Sequence, residues 1–254
     1  AGMSLVMAAA LCLTSVPGSV SAASTVAADD SSFVIEDGVL EKYTGIKAVV
    51  TIPEGVKKIE KQAFQYNKEI EKVIFPTTLC DIGQWAFKGC KNLTTVKMSY
   101  RVKVIGNGAF KDCTSLQTVD MSMTGLEVLQ GNAFAGCTSL TQVTLPESIK
   151  VIGGDAFNSC RYLGSINLPV GLTTIQLNAF NDCDSLTAVA LPDTLQFLGN
   201  GAFAGCDGLE SIRIPAGITT LQESVFSGDY NLDTVYLPDT MRTIQSAALA
   251  TKDG

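Results

Sequence analysis

Phenylalanine recurs at an almost constant interval through most of this 254-residue chain. The steps between successive members of this Phe column are 23, 23, 24, 23, 23, 23 and 23 residues, and Leu249 stands one further step on. The column consists of Phe64, Phe87, Phe110, Phe134, Phe157, Phe180, Phe203 and Phe226. A period of this length is typical of repeat proteins in which each unit is one small supersecondary element. Since so short a unit cannot bury its own apolar face, the units are expected to stack and to share one core.

The repeating unit has the form A-F-x-x-C-x-x-L-x-x-V-x-L-P-x-x-L-x-x-I-G, as in residues 134–156. Its V-x-L-P piece combines β-branched residues with period-two alternation, which predicts a short strand that the proline ends. Strands from successive units, about 4.8 Å apart, are expected to form a parallel sheet roughly 40 Å long. The sequence therefore predicts a right-handed solenoid of about nine 23-residue repeats. Each repeat is expected to contribute one short strand to a parallel β-sheet, with mostly turns and short helical pieces elsewhere.

The first thirty residues do not follow the repeat. Residues 3–16 form an uncharged, mostly apolar run, which is too short to cross a membrane as a helix because that takes about 20 residues. Pro17 and Gly18 then break the helix, and residues 20–22 have the small side chains of a signal-peptide cleavage site. These features predict a signal peptide at residues 1–22 and a flexible linker at residues 23–32, with a buried N-terminal helix as the alternative. No basic segment precedes the run, so we expect the protein to start upstream of Ala1.

Two apolar runs around Asp37-Gly38 give a strong hairpin signal before the first repeat. We expect residues 33–45 to form an N-terminal capping hairpin and residues 46–250 to form the repeat domain. In the last unit the sequence AALA replaces the A-F pair. Either this unit is a degenerate cap or the array continues beyond residue 254, and we favour continuation.

Composition disfavours several classes of function. A formal net charge of −7 and a pI near 4.6 disfavour nucleic-acid binding, which needs clustered Lys and Arg, and docking on anionic lipid. Histidine is absent, which removes Ser-His-Asp and Cys-His catalysis and the commonest zinc ligand. We therefore expect no enzymatic activity, no catalytic residues, no cofactor and no metal.

Six of the eight cysteines share one repeat column, with Asn67 and Asp229 at its two ends. The six are Cys90, Cys113, Cys137, Cys160, Cys183 and Cys206. Because Asn can replace neither a disulfide partner nor a zinc ligand, we expect a reduced ladder of small buried donors that bond a turn's backbone. Disulfides between stacked neighbours, which lie within bonding range, and a metal site are the alternatives. Asp182 and Asp184, which flank Cys183, are expected to be solvated turn residues.

The predicted strands leave one exposed residue between their two inward positions. Down the array this outward column reads Thr51, Ile74, Lys97, Asp120, Thr144, Asn167, Ala190, Arg213 and Tyr236. Its chemistry varies from unit to unit, as a surface matched to a protein partner would, and Arg, Tyr and Trp are frequent hot-spot residues. The predicted partner-binding residues are Lys97, Asp120, Thr144, Asn167, Arg213 and Tyr236, with Trp85 as a further candidate. Ordinary solvent-facing sheet residues are the alternative.

The repeat resembles the BspA-like (Treponema-type) class of leucine-rich repeats. The entry segment from Asp37-Gly38 through Tyr43-Thr44-Gly45 to Ile52-Pro53 is similar to the usual start of such arrays. The resemblance covers residues 37 to about 249. It implies a leucine-rich-repeat solenoid of the kind that bacteria export, with a role in adhesion to host matrix or cell-surface proteins. The family has no shared catalytic residues.

The sequence thus favours an exported, secreted or cell-surface module that binds a protein partner and does not catalyse a reaction. No nucleic acid, and no membrane span in the mature chain, are expected. The alternative is the targeting arm of a larger surface enzyme whose catalytic domain lies beyond residue 254.

Overall fold

A computed structural model describes residues 31–250, which form eighteen short β-strands and, in this part of the chain, no helix. The signal peptide and most of the linker predicted at residues 1–32 lie outside it. The strands are β1 Phe33–Glu36, β2 Val39–Tyr43, β3 Val49–Thr51, β4 Lys58–Ile59, β5 Lys72–Ile74, β6 Asp81–Ile82, β7 Thr95–Lys97, β8 Val104–Ile105, β9 Thr118–Asp120, β10 Val128–Leu129, β11 Gln142–Thr144, β12 Val151–Ile152, β13 Thr174–Ile175, β14 Phe197–Leu198, β15 Ser211–Arg213, β16 Thr220–Leu221, β17 Thr234–Tyr236 and β18 Thr243–Ile244.

These strands stack into a solenoid of about nine coils, which confirms the predicted fold. Residues one repeat apart pair in parallel, for example Val119 with Val143 and Ile152 with Ile175. The pairs fall into two rows on different sides of the coil. The first row holds the V-x-L strands β3, β5, β7, β9, β11, β15 and β17, and the second row holds the two-residue strands β4, β6, β8, β10, β12, β13, β14, β16 and β18.

The second row corrects one detail of the sequence-based prediction. Most repeats contribute two strands rather than one, and turns rather than short helical pieces connect them. A two-residue strand such as β12 is too short to show the alternation by which strands are recognised in a sequence. Its register comes from the stacking of the coils.

The first row is interrupted between β11 and β15. Over these two coils its only pairing within the described residues is a single bridge between Ser165 and Ala188. At the three strand positions these segments carry SIN and AVA, whereas the neighbouring strands β9 and β11 carry TVD and QVT. Ala and Asn are poor strand formers, so the predicted continuous sheet is divided at this point.

The core is a column of stacked phenylalanine rings. Successive members from Phe64 to Phe226 have centroids 4.6–6.0 Å apart and planes within 13° of parallel. All eight rings are buried. The column therefore supplies the contacts that fix each coil on the next.

The hairpin of β1 and β2 lies at the N-terminal end of this column. The two strands pair antiparallel, and β2 continues the second row by pairing with β4. Asp37 and Gly38 both have positive φ, 48° and 77°, as a two-residue hairpin turn requires. Tyr43 stacks on Phe64 at 5.1 Å and Phe33 on Tyr43 at 4.8 Å, so the hairpin extends the aromatic column.

Candidate binding surface

The outward column of the first row places three of the predicted partner-binding residues side by side. Lys97, Asp120 and Thr144 follow one another in register on β7, β9 and β11. Lys97 Nζ lies 3.7 Å from Asp120 Oδ2. The Ser122 hydroxyl and amide donate to Asp120 Oδ1, and the hydroxyl bond is the largest cause that lowers the pKa of this carboxyl. Asp120 is thus held in place on the sheet, with the exposed Lys97 ammonium beside it.

Two more predicted residues form a second patch nearer the C-terminal end. Arg213 and Tyr236 pair in register on β15 and β17, and Tyr236 is 60% exposed. The Arg213 guanidinium donates to Asp193 at 3.1 Å. Asn167 lies between the two patches, in one of the two coils that form no first-row strand.

The interruption of the first row opens a cavity of about 300 Å³. Thr144 and Asn167 line it together with Gln142, Glu147 and Pro169. Two of the predicted residues therefore meet at a recess rather than on a flat sheet. Trp85, the further candidate, does not lie on this row and belongs to the turns described below.

The cysteine column carries backbone hydrogen bonds, as predicted. Each of the six thiols donates to the carbonyl oxygen of the phenylalanine in the preceding coil, at 3.1–3.3 Å. All six cysteines are free. Burial raises the pKa of Cys90 to about 12 and that of the other five well above the usual value. Since the thiolate is the reactive form, the column is structural.

Asp229 occupies this column in the last complete coil. Its Oδ1 accepts the Cys206 amide at 2.8 Å, while its Oδ2 is buried without a partner within the described residues. Burial raises the pKa of the carboxyl to about 7. At the other end, Asn67 uses its side-chain oxygen for the Glu69 and Ile70 amides and its amide group for the Gly45 carbonyl.

A second surface is formed by the turns on either side of each buried phenylalanine, here called the turn face. In every coil the residues two before and two after the phenylalanine have positive φ, whatever their type. They include Trp85, Asn132 and Ser224 in the first position and Tyr66, Asp112 and Asp182 in the second, with φ between 54° and 60°. Asn, Asp and Gly tolerate this conformation best, and they occupy most of these positions.

At the N-terminal part of the turn face, aromatic rings cover glycines. A Cβ on Gly89 would lie 2.5 Å from the Tyr66 ring, and one on Gly108 would lie 2.6 Å from the Trp85 indole. The Lys88 ammonium lies 6.0 Å from the centre of the Tyr66 ring and 5.7 Å from that of Trp85, within cation–π range. This part of the face is therefore aromatic and basic, and rings occupy the space beside its glycines.

At the C-terminal part of the turn face, the same positions form an open trough of about 690 Å³. Gly201, Ala204, Gly205 and Gly228 are the smallest of the residues that line it. Acidic and amide side chains flank it, with one arginine and one tyrosine: Asn178, Asn181, Asp182, Asp184, Asn200, Asp207, Glu223, Arg161 and Tyr230.

The turn face was missed by the sequence analysis, although the sequence carries a signal for it. Thirteen of the 18 Lys and Arg residues lie between Lys42 and Lys111, and six of the 25 acidic residues lie between Asp182 and Glu223. Residues 31–115 carry a formal charge of +4 and residues 116–250 carry −9. Examining charge along the stack rather than over the whole chain would have separated the two parts.

Comparison with known proteins agrees with this architecture. A family model described as the BspA type leucine rich repeat region, in six copies, matches residues 34–164 and 127–253. The chain belongs to the BspA-type leucine-rich repeat family. No curated protein is significantly similar to this BspA-type chain.

Three solved structures from bacteria are similar to this BspA-type protein. A leucine-rich repeat protein from Eubacterium ventriosum is 28% identical with a TM-score of 0.62, over 70% of this chain and 50% of that one. This chain therefore spans half the length of that protein. The leucine-rich repeat protein TpLRR of T. pallidum is 24% identical with a TM-score of 0.44, over 81% and 77% of the two chains. A leucine rich cell surface protein from Faecalibacterium prausnitzii is 24% identical with a TM-score of 0.40, over 87% and 85%.

Two further features of the BspA-type chain bear on its chemistry. Within residues 31–250, no helix has the length and hydropathy needed to span a bilayer. The same part of the chain contains no group of three or more His, Cys, Asp or Glu side chains arranged to hold a metal ion.

Proposed function

We propose that this protein is an exported, non-catalytic module that binds a protein partner at the cell surface or in the medium. The partner class is a host matrix or cell-surface protein, and the role is adhesion. The observation that carries the proposal is the outward column of the first row, where side chains of different chemistry stand in register on two segments of parallel sheet.

The variety of this column favours a protein partner over a regular polymer. A polymer with a repeating chemical group is matched best by a repeating side chain. Here the column presents an ammonium, a carboxylate, a hydroxyl, an amide, a guanidinium and a phenol at Lys97, Asp120, Thr144, Asn167, Arg213 and Tyr236. Protein interfaces are recognised through such mixtures, with a few aromatic and arginine anchors supplying most of the affinity.

Two local features of this surface support the binding of a protein partner: an exposed Arg–Tyr pair and a recess. Arg213 and Tyr236 form an exposed pair of the residue types that dominate interface energetics. The cavity beside Thr144 and Asn167 offers a concave site for one side chain of the partner. Export is supported by the apolar run at residues 3–16, which has the composition of a signal peptide.

Binding to purified matrix and cell-surface proteins tests the proposal. We expect saturable binding by surface plasmon resonance, and a loss of about tenfold or more in affinity for Arg213→Ala combined with Tyr236→Ala, as for hot-spot residues. Gln196→Ala, an exposed change on the second-row side, serves as the matched control and should bind like the wild type. The absence of saturable binding across such a panel would contradict the proposal, as would equal losses for both variants.

A further inference from the structure

The turn face carries a charge pattern that is complementary to itself. Four residues after each phenylalanine, one side chain points outward from the turn. Down the stack this turn-edge column reads Lys68, Lys91, Thr114, Thr138, Arg161, Asp184, Asp207 and Tyr230. Reversing the order of its first seven members about Thr138 places each lysine opposite an aspartate.

We propose that two copies of this chain associate through their turn faces, antiparallel, about a twofold axis at Thr138. A twofold axis that lies in the interface perpendicular to the stack reverses the order of the coils and keeps each column opposite itself. Lys68 then faces Asp207 of the second copy, and Lys91 faces Asp184. In such an isologous contact every pair occurs twice, so four ion pairs flank one axis.

The charged groups of this column have no competing ion pairs. Within the described residues, neither lysine, nor Arg161, nor either aspartate forms a salt bridge. Lys68, Lys91, Arg161 and Asp184 are exposed and Asp207 is half-buried. Their charges are therefore available to a second copy.

Shape follows the same reversal. In the column two residues after each phenylalanine, Tyr66 belongs to the first coil and Gly205 to the seventh, and these coils exchange places about the axis. The aromatic part of one copy, whose turns are filled by rings, thus meets the trough of the other. Charge and shape are complementary at the same two places.

The contact is long enough for a specific dimer and leaves the proposed binding surface free. The seven coils from Lys68 to Asp207 span roughly 30 Å at ~4.8 Å per coil. The outward column of the first row lies on a different side of the coil and takes no part. Dimerisation through the turn face is thus independent of partner binding by the first row, and each can be tested without the other.

Sedimentation velocity of the protein at ~50 mM and ~500 mM NaCl tests the association. We expect a concentration-dependent dimer whose dissociation constant rises about tenfold or more at the higher salt, because exposed ion pairs are screened. A wild-type protein that stays monomeric at ~100 μM and low salt, where such ion pairs are screened least, overturns the proposal.

Charge reversal gives a sharper test. Variant K68E/K91E presents only acidic groups at both contacts, and variant D184K/D207K presents only basic ones, so each should be monomeric. Mixed together they are complementary at both contacts, and we expect a one-to-one heterodimer. The control K57E/K103E makes an equal charge change at exposed positions elsewhere on the coil and should dimerise like the wild type. No association on mixing, or loss of the dimer in the control, contradicts the proposal.

A cross-link locates the axis. Because Thr138 lies beside its own copy across the axis, Thr138→Cys should form an intermolecular disulfide on mild oxidation far faster than Glu147→Cys, an exposed residue of the same coil on another side. Equal or reversed rates would show that the copies meet through another surface.

Discussion

The N-terminal and C-terminal parts of the turn face are built on the same buried frame and present opposite surfaces. The rings of Phe64 and Phe87 stack at 4.6 Å and those of Phe180 and Phe203 at 5.2 Å, and the cysteine bonds are alike in both parts. Outside this frame, Tyr66 and Trp85 fill the turns of one part, while glycines open those of the other. The comparison indicates that the residues repeated every 23 positions are the buried ones, whereas the exposed residues differ from coil to coil.

If the interior is the same in both parts, equal truncations should cost equal stability. We expect Phe110→Ala and Phe203→Ala each to lower the free energy of unfolding by about 3–5 kcal/mol, because each removes a buried ring that is stacked between two others. Chemical denaturation followed by circular dichroism measures both. A difference larger than about 1 kcal/mol would show that the two parts do not share one frame.

The C-terminal end should differ from the rest of the interior in its response to pH. The buried Asp229 carboxyl has a folded pKa of about 7 against an ordinary value of 3.8. As the pH rises from about 4 to 7, the unfolded chain ionises this group first, so folding loses stability over that range and recovers none above it. Asp229→Asn, which keeps an acceptor for the Cys206 amide, should therefore be more stable than the wild type by roughly 2–4 kcal/mol at pH 8, and no more stable below pH 4.

Thermal denaturation of the two proteins at several pH values measures this difference. The exposed change Asp239→Asn serves as the control, and it should alter stability by less than about 0.5 kcal/mol at any pH. A constant difference between Asp229→Asn and the wild type from pH 4 to pH 8 would contradict the assignment.

Glycine substitutions distinguish the filled part of the turn face from the open part. Gly89 and Gly228 both have positive φ, but a Cβ meets the Tyr66 ring at 2.5 Å in the first case and only backbone atoms at 3.9 Å or more in the second. We expect Gly89→Ala to cost about 2–3 kcal/mol and Gly228→Ala about 1 kcal/mol, since both pay the left-handed penalty but only the first displaces a ring. In the double variant Tyr66→Ala/Gly89→Ala the ring is absent, so Gly89→Ala should cost only about 1 kcal/mol, as Gly228→Ala does. If the losses of the two single variants simply add, the ring contact is excluded.

The smallest expected effect concerns the first row. Ala188 lies in the interrupted segment, whereas Thr118 occupies the same position in β9. Ala188→Thr should raise the free energy of unfolding by about 0.5 kcal/mol and Thr118→Ala should lower it by a similar amount, because Thr fits a strand better than Ala. Denaturation curves for the pair test this, and a destabilising Ala188→Thr would mean that the interruption has another cause.

The sequence was sufficient for the Phe and cysteine columns, and insufficient for the second row of strands and for local departures from the repeat. The Phe column determines the number of coils because each ring must rest on the next, and the cysteine column follows because only a small donor fits beside the backbone. The two-residue strands could not be foreseen, since Val151–Ile152 shows no alternation. The interruption at Ser165 was missed because the repeat spacing is unchanged there and only the low strand propensity of a few residues differs.

The candidate surfaces divide in the same way. The register of Lys97, Asp120 and Thr144 follows directly from the repeat, so their neighbourhood was predictable from spacing alone. The recess beside Asn167 was not, because it arises where the strand is lost. The left-handed positions of the turn face were also missed. Asn, Asp and Gly are frequent there, but Tyr66 and Trp85, which rarely adopt positive φ, occupy two of the positions and break the pattern.

The pairing of a side chain in one coil with a glycine in the next restricts how such an array can change by recombination. Tyr66 requires Gly89, Trp85 requires Gly108, and Asp182 lies 2.7 Å from where a Cβ on Gly205 would be. A duplication or deletion of whole repeats preserves the stacked rings in every case, yet it brings new neighbours together at one junction. A junction that sets a ring such as Tyr66 or Trp85 against a residue other than glycine would displace that ring. The order of the repeats is therefore itself a heritable part of the fold.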